Sequence, residues 1–188
     1  MHPRRHPARR APTQVLPARR AARSPAGLPL LNHPVLSGTR RATEADWNLI
    51  DAFHRRCSQA SLLRRWGRTH IIRRDFSRLL AHGDCWIAPG VGDGPVALAS
   101  AGPVSGEAGV VDLGLQVADA HQRRGIGTAL ARHAAEHARA RGAHTLSAYT
   151  QASNHPMLRL LRRLGPIRHT RDGTHLHVRV ALAAGRPP

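Results

Sequence analysis

Val110-Val111-Asp112-Leu113-Gly114-Leu115-Gln116-Val117, followed four residues later by Gln122-Arg123-Arg124-Gly125-Ile126-Gly127-Thr128, decides the reading of this 188-residue chain. The first run has the apolar, β-branched character of a strand. The second opens an Ala- and Leu-rich stretch whose spacing predicts a helix over about 127–141, stopped by Gly142. A strand that passes through a short loop into a helix N-terminus leaves free backbone N–H groups aimed at one point, where the helix dipole also favours an anion. Gly125 and Gly127 let the backbone approach a ligand closely. Arg123 and Arg124 supply charge for a diphosphate or a 3′-phosphate. The turn therefore predicts a phosphate cradle, although glycines at a tight turn also serve simply to shape the chain. A Lys-Ser/Thr ending and a third glycine are both missing, so it is neither a Walker loop nor a dinucleotide fingerprint.

Upstream, Thr43 with Asp46 three residues later predicts a helix cap, and Trp47, Ile50 and Phe53 fall on one face of a helix reaching about residue 56. Helical stretches over 58–65 and 71–80 follow. Strands are expected at 85–88, 96–101 and 109–117, with a glycine-rich turn over 90–94, which together make an antiparallel meander. Downstream, 145–150 reads as a strand and 157–164 as a short helix stopped by Gly165. Asp172-Gly173 reads as a hairpin tip before the strict alternation of Leu176, Val178, Val180 and Leu182. The fold class is α+β: one domain over 38–183 with a mixed, largely antiparallel twisted sheet flanked by helices and a parallel crossover in its second half.

The remaining residues are read from composition. Residues 1–37 combine Arg pairs with Pro and Ala and show no periodicity, so they are expected to be a disordered basic arm or the product of a misassigned start. Residues 184–188 are expected to be a tail. The arm's prolines, from Pro3 to Pro25, break the amphipathic helix that an organelle transit peptide requires. All 29 basic residues are arginine, and half of the net charge of +18 falls in residues 1–41. Abundant Ala, Gly and Pro beside absent lysine points to coding bias rather than nucleic-acid binding, and aromatic residues that could stack on bases are few. No apolar run approaches membrane-spanning length, and no signal sequence is evident, so a cytoplasmic protein without membrane contact is expected. Cys57 and Cys85 have no paired spacing and are read as free thiols.

On Gln122-Arg123-Arg124-Gly125-Ile126-Gly127 the chain resembles the GNAT acetyltransferase superfamily, whose acetyl-CoA motif Gln/Arg-x-x-Gly-x-Gly/Ala follows the fourth strand. Asn154 and the segment through Leu164-Gly165 are similar to the family's Asn-plus-helix segment. Residues 41–47 and 57–61 are similar to the opening helices of the bacterial protein-lysine acetyltransferase branch. The resemblance implies transfer of an acetyl group from acetyl-CoA to a primary amine, on a protein lysine or a small molecule. It implies that the backbone of Leu115, Gln116 and Val117 holds the pantetheine arm like an added strand. Gln122, Arg123, Arg124, Gly125, Ile126, Gly127 and Thr128 would hold the pyrophosphate, and Asn154 the far side of the arm. Such an amine is almost wholly protonated near neutral pH, so a proton acceptor is needed. The position matching the family's catalytic Glu is Asp112, one methylene shorter and expected to work through a water. Leu161 stands where many members carry a Tyr that protonates the leaving thiolate, and Pro166 replaces the usual Phe.

Other signals compete. His133-Ala134-Ala135-Glu136-His137 spells an H-x-x-E-H zinc motif, but both histidines are expected to flank the solvated side of a helix, without a further acidic ligand. His175 and His177 share a strand face, read as exposed. Tyr149 is read as a core or rim residue, with lining of an acceptor channel as its functional alternative. The last strand is a candidate dimer edge. The rival function is a catalytically weak CoA-binding regulatory module whose arm docks on nucleic acid or another acidic partner.

Overall fold

A computed structural model describes residues 36–90 and 94–182. Most of the expected arm, the middle of the 90–94 turn and the expected tail lie outside the described residues.

Seven strands form one sheet: β1 (Arg40–Arg41), β2 (Asp84–Pro89), β3 (Pro95–Pro103), β4 (Val110–Val117), β5 (Thr145–Gln151), β6 (Ile167–Asp172) and β7 (His175–Ala181), in the order β1-β2-β3-β4-β5-β7-β6. β2, β3 and β4 are the expected antiparallel meander, with Ile87 opposite Leu98 and Leu98 opposite Gln116. The helices are α1 (Trp47–Arg55), α2 (Gln59–Trp66), α3 (Arg73–His82), α4 (Ile126–Ala140) and α5 (His155–Leu164). α4 carries the chain across to β5, which runs parallel to β4.

Each face of the sheet has its own apolar core. On one face α4 and α5 bury Leu130, Leu161, Leu113, Leu146, Val178 and Val180. The contact is close because both sides are small: Ala134 and Ala138 of α4 belong to the same cluster as Ala99 and Ala101 of β3. On the other face α1, α2 and α3 cover the meander with Ile50, Phe53, Leu62 and Phe76 against Ile87 and Leu98. Phe53 and Phe76 are fully buried, and truncating either to Ala would cost about 3–5 kcal/mol. Tyr149 of β5 and His177 and Arg179 of β7 stand exposed.

Two expectations change, the cap and the sheet edge. Thr43 and Asp46 do bond as a box, Thr43 N donating to Asp46 Oδ2 at 2.8 Å, but the box closes a 3-10 turn over Glu44–Asp46 ahead of α1. His133 and His137 flank the solvated side half-buried, packing edge-on against Trp86 with centroids 5.5 and 5.1 Å away, and His137 Nε2 lies 2.9 Å from Asp84 Oδ2. Among the described residues no group of three or more His, Cys, Asp or Glu side chains could hold a metal. The last strand is not an edge, because β7 is paired on both sides with β5 and β6. The edge on that side is β6, which has a single apolar residue, Ile167, and which the alternation rule passes over.

Both cysteines are buried and unpaired. Burial pushes the Cys57 thiol up to about 11 and that of Cys85 up to about 12, which leaves them poor nucleophiles. Among the described residues no helix is long and apolar enough to cross a membrane.

Candidate active site

The site begins where two strands part. β4 and β5 pair in parallel only through Val110–Thr145, Val111–Leu146 and Asp112–Ser147. Beyond that rung β4 continues to Val117 with β3 on one side and no strand on the other. A strand edge left open inside a domain offers N–H and C=O groups to an extended ligand. The opening leads into a groove of about 540 Å³, within the range of ligand sites that enclose a cofactor-sized molecule.

Leu115, Gln116 and Val117 form one wall of the groove, Gln122, Arg123, Gly125, Gly127 and Thr128 its end, and Asn154, Met157 and Leu160 the opposite wall. Gly125 precedes α4 at φ +83°, a left-handed conformation that glycine takes without strain. Arg123, at φ 61°, is the one non-glycine residue in that region among those described, so the loop is held in a costly shape at the helix start. Gly127 faces Leu115, Val117 and Leu160, each of which would lie about 3.4–3.5 Å from an added Cβ.

Two expected ligand residues, both in the groove lining, also brace it. Gln122 Nε2 donates to Val117 O at 3.0 Å and to Ser61 Oγ at 3.3 Å, tying the loop to β4 and α2. Asn154 caps α5, its Oδ1 accepting from Met157 N at 3.3 Å while its Nδ2 donates to Thr150 Oγ1 at 3.0 Å. Ile126 is buried in the core, so only its backbone is open to a ligand. Arg124 is exposed and is not part of the groove lining. Gln116 is buried, its Oε1 accepting from Trp66 Nε1 at 2.7 Å. Leu161 is fully buried beneath the sheet, and α5 presents Met157 and Leu160 to the groove instead.

Asp119, which sequence reasoning passed over, joins the two halves of the site. Its carboxylate accepts from Ser58 N (2.7 Å), Ser58 Oγ (2.8 Å) and Ser61 Oγ (2.8 Å), fastening the start of α2 to the end of β4. These hydrogen bonds to the carboxylate outweigh its desolvation and lower its pKa.

Asp112 stands at the fork itself, on the α1–α3 face of β4. It is exposed at the surface, yet desolvation by the protein around it raises its carboxyl above the ordinary value against the pull of Arg65, His82 and His177. The other nearby carboxylate is occupied: Glu107 receives both Arg179 Nη1 (2.6 Å) and Nη2 (2.7 Å).

An open strand edge, a glycine turn at a helix N-terminus and a carboxylate at the fork define an acyltransferase site of the coenzyme A type. Residues 47–165 match the family described as the acetyltransferase (GNAT) family, and the chain belongs to it: it is an acyltransferase whose acetyl donor is acetyl-CoA. The GNAT domain of S. lividans PAT is similar in structure, with 22% identity, a TM-score of 0.68, and coverage of 77% of this chain and 89% of that one. The ribosomal-protein-alanine N-acetyltransferase of Brucella melitensis shares 22% identity at a TM-score of 0.61, covering 77% and 99%. A phosphinothricin acetyltransferase from Sinorhizobium meliloti, in complex with acetyl-CoA, shares 16% at a TM-score of 0.63, covering 80% and 92%. No curated protein matches the chain.

Proposed function

We propose that the enzyme acetylates a primary amine, with Asp112 as the proton acceptor. The observation that carries this reading is the place of Asp112 on the last β4–β5 rung, three residues before Leu115, where β4 begins to line the groove. The donor supplies an activated acetyl thioester. Around it, the open edge of Leu115, Gln116 and Val117 would hold the pantetheine arm in strand fashion. The backbone N–H groups from Arg123 to Thr128 would meet the pyrophosphate, helped by the α4 dipole and by Arg123.

The acceptor enters as an ammonium ion. Asp112, directly or through one water, takes a proton and frees the nitrogen lone pair. The nitrogen bonds the acetyl carbon as the C–S bond breaks. A second proton then leaves nitrogen and one is taken up by sulfur, so the reaction releases one proton overall. With Leu161 buried and carrying no hydroxyl, the thiolate takes its proton from solvent, which a thiol with a pKa near 8.5 tolerates. We take the domain to span about 38–183.

The similar structures include an enzyme named for a ribosomal-protein alanine and one named for phosphinothricin, so the acceptor follows from neither. Acetyl-CoA titration by calorimetry, followed by a transfer screen across amines, tests the reading. Binding with transfer supports it, and binding without transfer to any amine would leave only the regulatory module.

A further inference from the structure

Arg65 is a cation facing the groove with no carboxylate to balance it. It rises from α2, and its guanidinium lies over Gly114, where any Cβ would collide with it and with the Ser100 hydroxyl. Nη2 donates to Ser100 Oγ at 2.8 Å, and the guanidinium carbon lies 4.7 Å from the centroid of the Trp66 ring. Among the described residues no Asp or Glu oxygen comes within ion-pair distance of Arg65. A guanidinium has five N–H donors in a planar fork that matches a carboxylate. Here one side chain, a neutral serine, uses part of that capacity, and Arg65 lines the groove with the remainder. A cation partly withdrawn from water without a counter-ion is costly unless an anion arrives to meet it.

The nearest opposing charge is Asp112. Residues 112 and 114 alternate onto the same face of β4, so the carboxylate and the guanidinium flank the bare backbone of Gly114, close enough for each to feel the other's charge and too far apart to form an ion pair. That gap between fixed negative and positive ends is complementary to a dipolar molecule.

We propose that Asp112 and Arg65 together bind a small α-amino acid as acceptor, its ammonium toward Asp112 and its carboxylate on Arg65. The inference rests on the amine-acetylation reading above and narrows its substrate class. It also gives Gly114 a function, since any side chain there would displace the guanidinium.

The test compares free α-amino acids with their own amides and with the corresponding decarboxylated amines, following thiol release. For the wild-type enzyme the expected result is a KM for an accepted amino acid roughly 10- to 100-fold below that of its amide, the value of charge-assisted hydrogen bonds. Arg65→Gln should remove this preference by raising KM for the free acid to that of its amide, and Arg65→Lys should keep part of it. Wild-type enzyme that takes amides and simple amines as well as free acids would overturn the inference without any variant being needed. Acetylation of peptidyl lysine with no free amino acid accepted would overturn it while leaving amine acetylation standing. Absence of transfer to every amine, with acetyl-CoA bound, would remove the underlying reading as well.

Discussion

Asp112 and Ser147 form the last rung between β4 and β5, and every residue of β4 beyond them lacks a partner on that side. The rung makes one residue serve two purposes. Its backbone ends the parallel ladder, while its side chain stands on the α1–α3 face three residues before Leu115, where β4 begins to line the groove.

The glycine turn should be decisive for cofactor affinity. Gly125→Val places a β-branched side chain at φ +83°, a conformation such residues avoid, and directs bulk to where the α4 N–H groups are open. Calorimetry should show acetyl-CoA affinity reduced at least about tenfold with circular dichroism unchanged, since the cost of such a position is of order 1–3 kcal/mol. Equal affinity in the variant would remove the cradle from the account.

His54 should control acid stability. It is buried on α1 with neither ring nitrogen hydrogen-bonded, stacked edge-on with Trp66 at 5.3 Å, and desolvation holds its pKa down to about 4. The unfolded chain binds a proton on this group near pH 6.5, so its neutral burial costs nothing above that pH and destabilises progressively as pH falls from about 6.5 to 4. Tm measured against pH should therefore fall in that window for the wild type and flatten in His54→Phe. A slope identical in both would contradict the assignment.

Asp46 acts in a lower window and for a different reason. The Arg40 guanidinium bonds its carboxylate, Thr43 adds backbone and hydroxyl donors, and the pKa falls to about 2. A depressed acid stabilises the fold above its unfolded value and loses that contribution as pH falls from about 4 to 2. The ceiling is about 2 kcal/mol, reduced by the water around half-exposed Arg40. Asp46→Asn should lower Tm at pH 7 and converge with the wild type near pH 2.

The meander, the crossover and the glycine turn were legible because local signals there agree with the tertiary structure: apolar alternation, paired glycines and a helix with a stop. β6 was not, because Ile167–Asp172 carries one apolar residue and becomes a strand only by pairing with β7. The packing of His133 and His137 against Trp86 was not legible for a similar reason, since Trp86 lies some fifty residues away in sequence. The positions of Asp112 and Gly125 could be anticipated from the motif. The bracing by Asp119 and Gln122 and the seat of Arg65 over Gly114 depend on partners brought together by folding, which no local pattern encodes.

Glu107 offers a control on the strand assignment. Because both of its oxygens are held by Arg179, Glu107→Gln should change kcat by less than about threefold, an exposed ion pair being worth at most about 1 kcal/mol. A loss of activity matching that of the Asp112 variant would move the base from β4 to the preceding turn.

The most direct measurement is turnover of Asp112→Asn across pH, with acetyl-CoA affinity and Tm recorded on the same protein. Burial raises the Asp112 carboxyl, so the folded state favours its protonated form, and Asn, which mimics that form, should leave Tm unchanged or slightly higher at pH 7. Acetyl-CoA affinity should be preserved and kcat should fall about 10²- to 10⁴-fold at neutral pH. Toward pH 9 part of the activity should return, as solvent deprotonates more of the amine. A variant that keeps full turnover at pH 7, or that loses turnover without recovery at high pH, would contradict the assignment of Asp112 as the proton acceptor.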